Sequence, residues 1–178
     1  LDERTLLGVG VWVKPLKFQI STGLYLLTLA WFWRELPTGF AATRLGRTIV
    51  RVAVVSTVFE VGYITLRGAM GEPSHFATTP FGAVMFMLMG IGALALTAMS
   101  PLLAYAIVRY GKPTGNKAYR RAVVASLILT FVLGATVGIM IGENGGYWVG
   151  GAATGAGGLP LFGWSRSGGD LRVAHFFG

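Results

Sequence analysis

The chain of 178 residues has no cysteine, only seven acidic residues, and a charged fraction of 12%. Without cysteine there is no disulfide framework and no thiolate metal site. A charged fraction about half that of an ordinary globular domain excludes a disordered chain or a coiled coil. No serine stands in a G-x-S-x-G setting. With only His75 and His175 as histidines, nucleophilic catalysis has few partners to draw on. What the chain does have is apolar: 53% hydrophobic residues and a mean hydropathy of +0.63. That composition belongs in a bilayer.

In a membrane the useful unit is a span of about 20 apolar residues. Four such stretches are present, at about 18–33, 48–66, 80–108 and 122–141. The first is short, and snorkelling of Lys17 and Arg34 would extend it. Barrel strands alternate apolar and polar residues, whereas stretches such as Ala83–Leu96 are apolar on every side. Backbone groups in hydrocarbon must be satisfied within their own segment, so these stretches are predicted to be helices. The expected fold is all-α: one integral membrane domain over 1–178, a polytopic transmembrane helix bundle with four spans. The start at Leu1 rather than Met, and the apolar run Val173–Phe177 just before the last residue, set the expectation of a chain truncated at both ends. A further span is expected after Gly178 and another before Leu1. The acidic start Leu1–Arg4 is not a signal peptide.

The formal net charge of +8 is distributed unevenly. Segment 34–51 carries Arg34, Arg44, Arg47 and Arg51 against Glu35, and segment 109–121 carries Arg109, Lys112, Lys117, Arg120 and Arg121 with no acid. The rest of the chain balances to zero. Cytoplasmic loops of membrane proteins are enriched in Lys and Arg. The pattern therefore predicts loops 34–51 and 109–121 in the cytoplasm of a bacterial inner membrane, with 1–17, 67–79 and 142–178 outside. Anionic headgroups are the expected partner of these cations. No nucleic-acid motif accompanies them, so nucleic acid is not an expected partner.

Gly134, Gly138 and Gly142 form a smooth stripe on one helix face, suited to helix packing either within this chain or against another subunit. Glu60 lies inside the second span, where an ionisable group is costly. It is read either as half of a structural pair with Arg67, Lys14 or Lys17, or as a functional carboxylate. His75 and His175 fall on the outer side with Asp170 and Arg172. The two histidines are candidate haem ligands, with interfacial hydrogen bonding as the bland reading; Asp170 and Arg172 read as a charge pair in a polar cluster with Glu60 and Arg67. The sequence requires no cofactor, and no metal set with helical spacing is present. The segment 142–170 is rich in glycine, lacks a P-loop ending, and reads as an external loop or a cap; part of it, Tyr147–Ala156, is an alternative re-entrant stretch.

Four strings carry a resemblance: Trp12–Phe18 (WVKPLKF), Ser74–Phe81 (SHFATTPF), Gly158–Pro160 (GLP) and Gly169–Phe176 (GDLRVAHF). With them the chain resembles an uncharacterised family of bacterial multi-span membrane proteins over most of its length. The resemblance implies a helical membrane protein with an additional span at each end, and it names no activity. Ala77, Gly82 and Ala174 stand where the family pattern has Asn, Asp and Pro, which removes polar groups from the outer face.

These features favour a non-catalytic membrane subunit that packs within or against a larger membrane complex, respiratory or photosynthetic. The alternative is a small membrane enzyme or haem or metal redox protein with a polar site at the outer face. A transporter is disfavoured, since no repeat relates the first two spans to the last two.

Overall fold

The computed structural model describes residues 2–6, 9–74, 79–112 and 116–143, together with the backbone of 158–159 and 164–165. The order is a short hairpin β1 (Thr5–Leu6) and β2 (Val9–Gly10), then α1 (Val13–Phe32) and α2 (Arg44–Met70). Next come α3 (Pro80–Thr97), α4 (Met99–Tyr110) and α5 (Lys117–Glu143), and a small antiparallel pair, β3 (Gly158–Leu159) with β4 (Trp164–Ser165). Three units are long and apolar enough to cross a membrane: α2, the α3–α4 run and α5. At 1.5 Å rise per residue, the 27 residues of α2 and of α5 each span about 40 Å. The helix α1 is not among the three; it begins at Val13, earlier than its apolar stretch, and takes in Lys14 and Lys17.

The helix ends follow from local chemistry. Thr43 and Thr79 stand in extended conformation before α2 and α3, and their hydroxyls accept from Gly46 N and Gly82 N at 3.0 and 3.1 Å. Pro80 opens α3 at a position where a missing N–H costs nothing. Gly71 closes α2 in the left-handed region at φ 70°, and the backbone N–H of Glu72 returns to Arg67 O.

The span expected at 80–108 is present as the apolar run Pro80–Tyr110, and it is interrupted at Ala98, where α3 ends and α4 begins. The reason is Pro101, which has no N–H to close the helical bond to the Thr97 carbonyl and crowds that carbonyl with its ring.

Packing has a clear period. Along α2 the buried positions Gly46, Ile49, Ala53, Ser56, Glu60 and Tyr63 advance by alternate steps of three and four. Across α3 and α4 the same stepping links Gly82, Met85, Met89, Gly92, Leu96, Met99, Leu103 and Ala106, all buried or half-buried. A seam of this period lets two helices follow each other in a left-handed crossing. The seam passes through the joint at Ala98 without losing phase. Against the α4 half of this run, Val123 and Leu127 of α5 are buried.

The two ends of the bundle differ. At one end, the 3-10 turns Trp33–Glu35 and Phe40–Ala42 fold Leu36 and Phe40 into the larger core cluster. The Phe40 ring meets Trp33 edge-on at 5.7 Å and Tyr110 at 5.6 Å. Lys112 ties this turn to the end of α4: its N–H donates to Glu35 O at 2.9 Å and its Nζ to Arg34 O at 2.8 Å. The two basic segments therefore share one end of the bundle. At the other end the hairpin sits over the end of α2, with Arg4 Nη1 donating to Ala69 O at 2.9 Å. A smaller cluster of Tyr63, Ile64 and Met89 lies in that half.

Candidate functional site

Two polar positions interrupt the apolar interior. The first is Glu60, 2% exposed, at the centre of the α2 seam. Its Oε1 is enclosed and has no hydrogen-bond partner among the described residues. Room for the carboxyl comes from Gly92 on α3, since a Cβ at that position would collide with Glu60 Oε1. The hydroxyls of Thr57 and Tyr63, one turn to either side, are also enclosed and unpartnered. Groups left this way are rare in protein interiors, because each costs about 1–3 kcal/mol.

The expected pairing of Glu60 with Arg67 does not form. Arg67 forms its ion pair with Glu72 and donates from Nε and Nη2 to Pro73 O at 3.1 and 3.0 Å. The left-handed turn at Gly71 is what brings Glu72 and Pro73 back over the guanidinium. Among the described residues, Glu60 has no ion pair. On α1, Gln19 Nε2 donates to Thr65 Oγ1 at 3.0 Å and Pro15 lies against Gly68, which places Lys14 and Lys17 at the end of α2 beyond Glu60.

The second polar position is the joint between α3 and α4. Tyr25 of α1 brings its hydroxyl to 3.0 Å from Leu96 O, 3.3 Å from Thr97 O and 2.7 Å from Ser100 Oγ. Carbonyls only accept, so the tyrosine donates to them and accepts from Ser100. The arrangement satisfies backbone that Pro101 has stripped of its helical donor.

The remaining sequence candidates are distributed as follows. Gly134, Gly138 and Gly142 share a face of α5 with Val123 and Leu127, by 100° of turn per residue. The larger pair is buried against the bundle, but a Cβ at any of the three glycines would meet no described atom within 4 Å. His75, His175, Asp170 and Arg172 lie outside the described residues, as do most of 142–170 and the proposed re-entrant stretch. Among the described residues, no three acidic or histidine side chains gather closely enough to hold a metal ion. Sequence reading missed Gly92 and Tyr25. Gly92 had a signal in its three-and-four spacing from Met85, Met89 and Leu96, and Tyr25 had none.

No family model, curated protein or solved structure matches this chain.

Proposed function

We propose that the chain is a non-catalytic, membrane-embedded subunit that packs against other membrane protein chains along the glycine face of α5. The observation that carries this is the difference in burial between helices. One third of the apolar window of α2 is buried inside the chain, against 6% for α5. Apolar exposure by itself suits lipid. The glycine stripe adds the discriminating feature, because a face without side chains lets a second backbone approach closely, and close packing drives helix association in membranes.

In this reading α1 completes a four-span bundle in a bacterial inner membrane, with the shared basic end toward the cytoplasm. An open groove beside α4 and α5 at that end is lined by Val108, Val124, Ala125 and Ile128 below Arg120 and Arg121. That suits an acyl chain under an anionic headgroup.

The test is native-gel migration in mild detergent, comparing wild type with the double variant Gly134→Leu/Gly138→Leu. Gly62→Leu on the exposed face of α2 serves as control, since it too has open space around it. Wild type and the control should travel with larger partners, and the double variant should run alone with unchanged unfolding behaviour. A wild type that runs alone, or a double variant that keeps its partners, rejects the reading.

A further inference from the structure

We propose that Glu60 is a proton-exchanging site inside the membrane, its carboxyl taking up and releasing a proton through a polar path that leads along α2 to the end marked by Arg67. The ligand is the proton, carried by water. In the step, the carboxyl O–H bond breaks, the electron pair stays on the carboxylate, and the proton passes to a water molecule; uptake is the reverse.

Three observations support it. Glu60 is 2% exposed, yet among the described residues its Oε1 has no hydrogen-bond partner. A carboxyl kept only for structure is expected to have its oxygens hydrogen-bonded, since leaving one unpaired in a closed core is costly. Here the opposing helix supplies a glycine, so the oxygen faces a notch rather than a donor. Second, Glu60, Tyr63 and Arg67 follow one another at the three-and-four spacing of the seam. Of these, the Tyr63 hydroxyl is also enclosed and unpartnered. Unpaired oxygens on successive turns are the groups that an internal water can bridge. Third, the distance is short. Glu60 is ten residues from Met70, the last residue of α2, which is about 15 Å at 1.5 Å per residue.

Among the described residues, the other elements near Glu60 leave the carboxyl to act alone. No titratable side chain occurs anywhere on α3, nor on α5 between Ala122 and Gly142. From α1, Thr22 is buried, Tyr25 is engaged at the joint, and Lys14 and Lys17 sit nearer the end of α2. On α4, Tyr105 is exposed, and Arg109 and Tyr110 lie at the opposite end. Arg67 at the mouth of the path is held by Glu72 and Pro73. Ionisable groups inside a membrane are costly to keep, and they mark proton and ion pathways.

The test uses the full chain in lipid nanodiscs and infrared difference spectroscopy against Glu60→Gln, which preserves the shape of the side chain. Wild type should show a carboxylic C=O band that is lost in the variant and that shifts on transfer to heavy water. Tyr63→Phe should keep the band and slow its shift. Dicyclohexylcarbodiimide, an apolar reagent for protonated carboxyls, should modify Glu60, and peptide mass spectrometry should find the adduct there in preference to Glu35 or Glu72. No band difference would mean a standing carboxylate and would overturn the proposal. A band that does not shift in heavy water would make Glu60 a sealed structural acid, with the same result. Exchange at an unchanged rate in Tyr63→Phe would overturn the path.

Discussion

Tyr25→Phe removes one hydroxyl and leaves the ring in place, so it isolates the joint between α3 and α4. That hydroxyl reaches two carbonyls and Ser100. One of the carbonyls, that of Thr97, has no helical donor because of Pro101. Side-chain hydrogen bonds between membrane helices average about 0.6 kcal/mol and reach about 1.7. A hydroxyl serving several acceptors in a place where the backbone has no substitute belongs near the top of that range, at about 1.5 kcal/mol. The assay is a double-mutant cycle by reversible unfolding in mixed micelles. Pro101→Ala restores an N–H that can reach the Thr97 carbonyl, so Tyr25→Phe should cost only about 0.5 kcal/mol in that background. The expected coupling is about 1 kcal/mol, well above the roughly 0.3–0.5 kcal/mol within which independent sites add. Additive costs would refute the claim that the tyrosine serves the proline-stripped backbone.

The same unfolding assay should show a loss of about 3 kcal/mol for Phe40→Ala, a ring 4% exposed between Trp33 and Tyr110; a loss below about 1 kcal/mol would mean that the turn does not depend on it. At the other end, the carboxyl of Asp2 is held well below the usual carboxylate range by hydrogen bonds from the Arg4 side chain, then from Trp12. A depressed folded value means that the anchoring Asp2 contributes is present above the range of the unfolded chain and is lost as pH falls through the folded value. In a variant keeping Trp12 as its only tryptophan, emission should therefore stay level through ordinary carboxylate pH and change only in stronger acid. Asp2→Asn, whose amide does not titrate, should abolish the transition in strong acid, and a wild-type transition near pH 3.9, about the value of a free aspartate, would contradict the pairing.

Much of the architecture was legible in the sequence because long apolar runs follow simple rules. Runs of apolar residues located α2, the α3–α4 run and α5, and the placement of arginine and lysine anticipated that 34–51 and 109–121 share one end. What escaped was backbone detail and contact between distant residues. Pro101 sits in plain view, yet an apolar run with a proline reads as a single tilted helix until the Thr97 carbonyl is seen seeking another donor. The pairing of Arg67 with Glu60 looked right on a helical wheel; the left-handed turn at Gly71, beyond the wheel, brought Glu72 closer. Gly92 read as one small residue among many, and its meaning appears only with Glu60 opposite. The hairpin over the end of α2 was hidden because its strands are two residues each and are held by Arg4, Asp2 and Trp12 rather than by an alternating pattern.

The tie between Lys112 and the turn after α1 has a consequence for biosynthesis. Lys112 follows Arg34 by 78 positions, and chains are made at roughly 5–20 residues per second, so the nascent polypeptide waits about 4–16 s for this clasp. During that interval α2 and α3 are made, while Phe40 lacks Tyr110 and the carbonyls of Arg34 and Glu35 lack their lysine. The first helical pair is then an unfinished half until the second pair arrives.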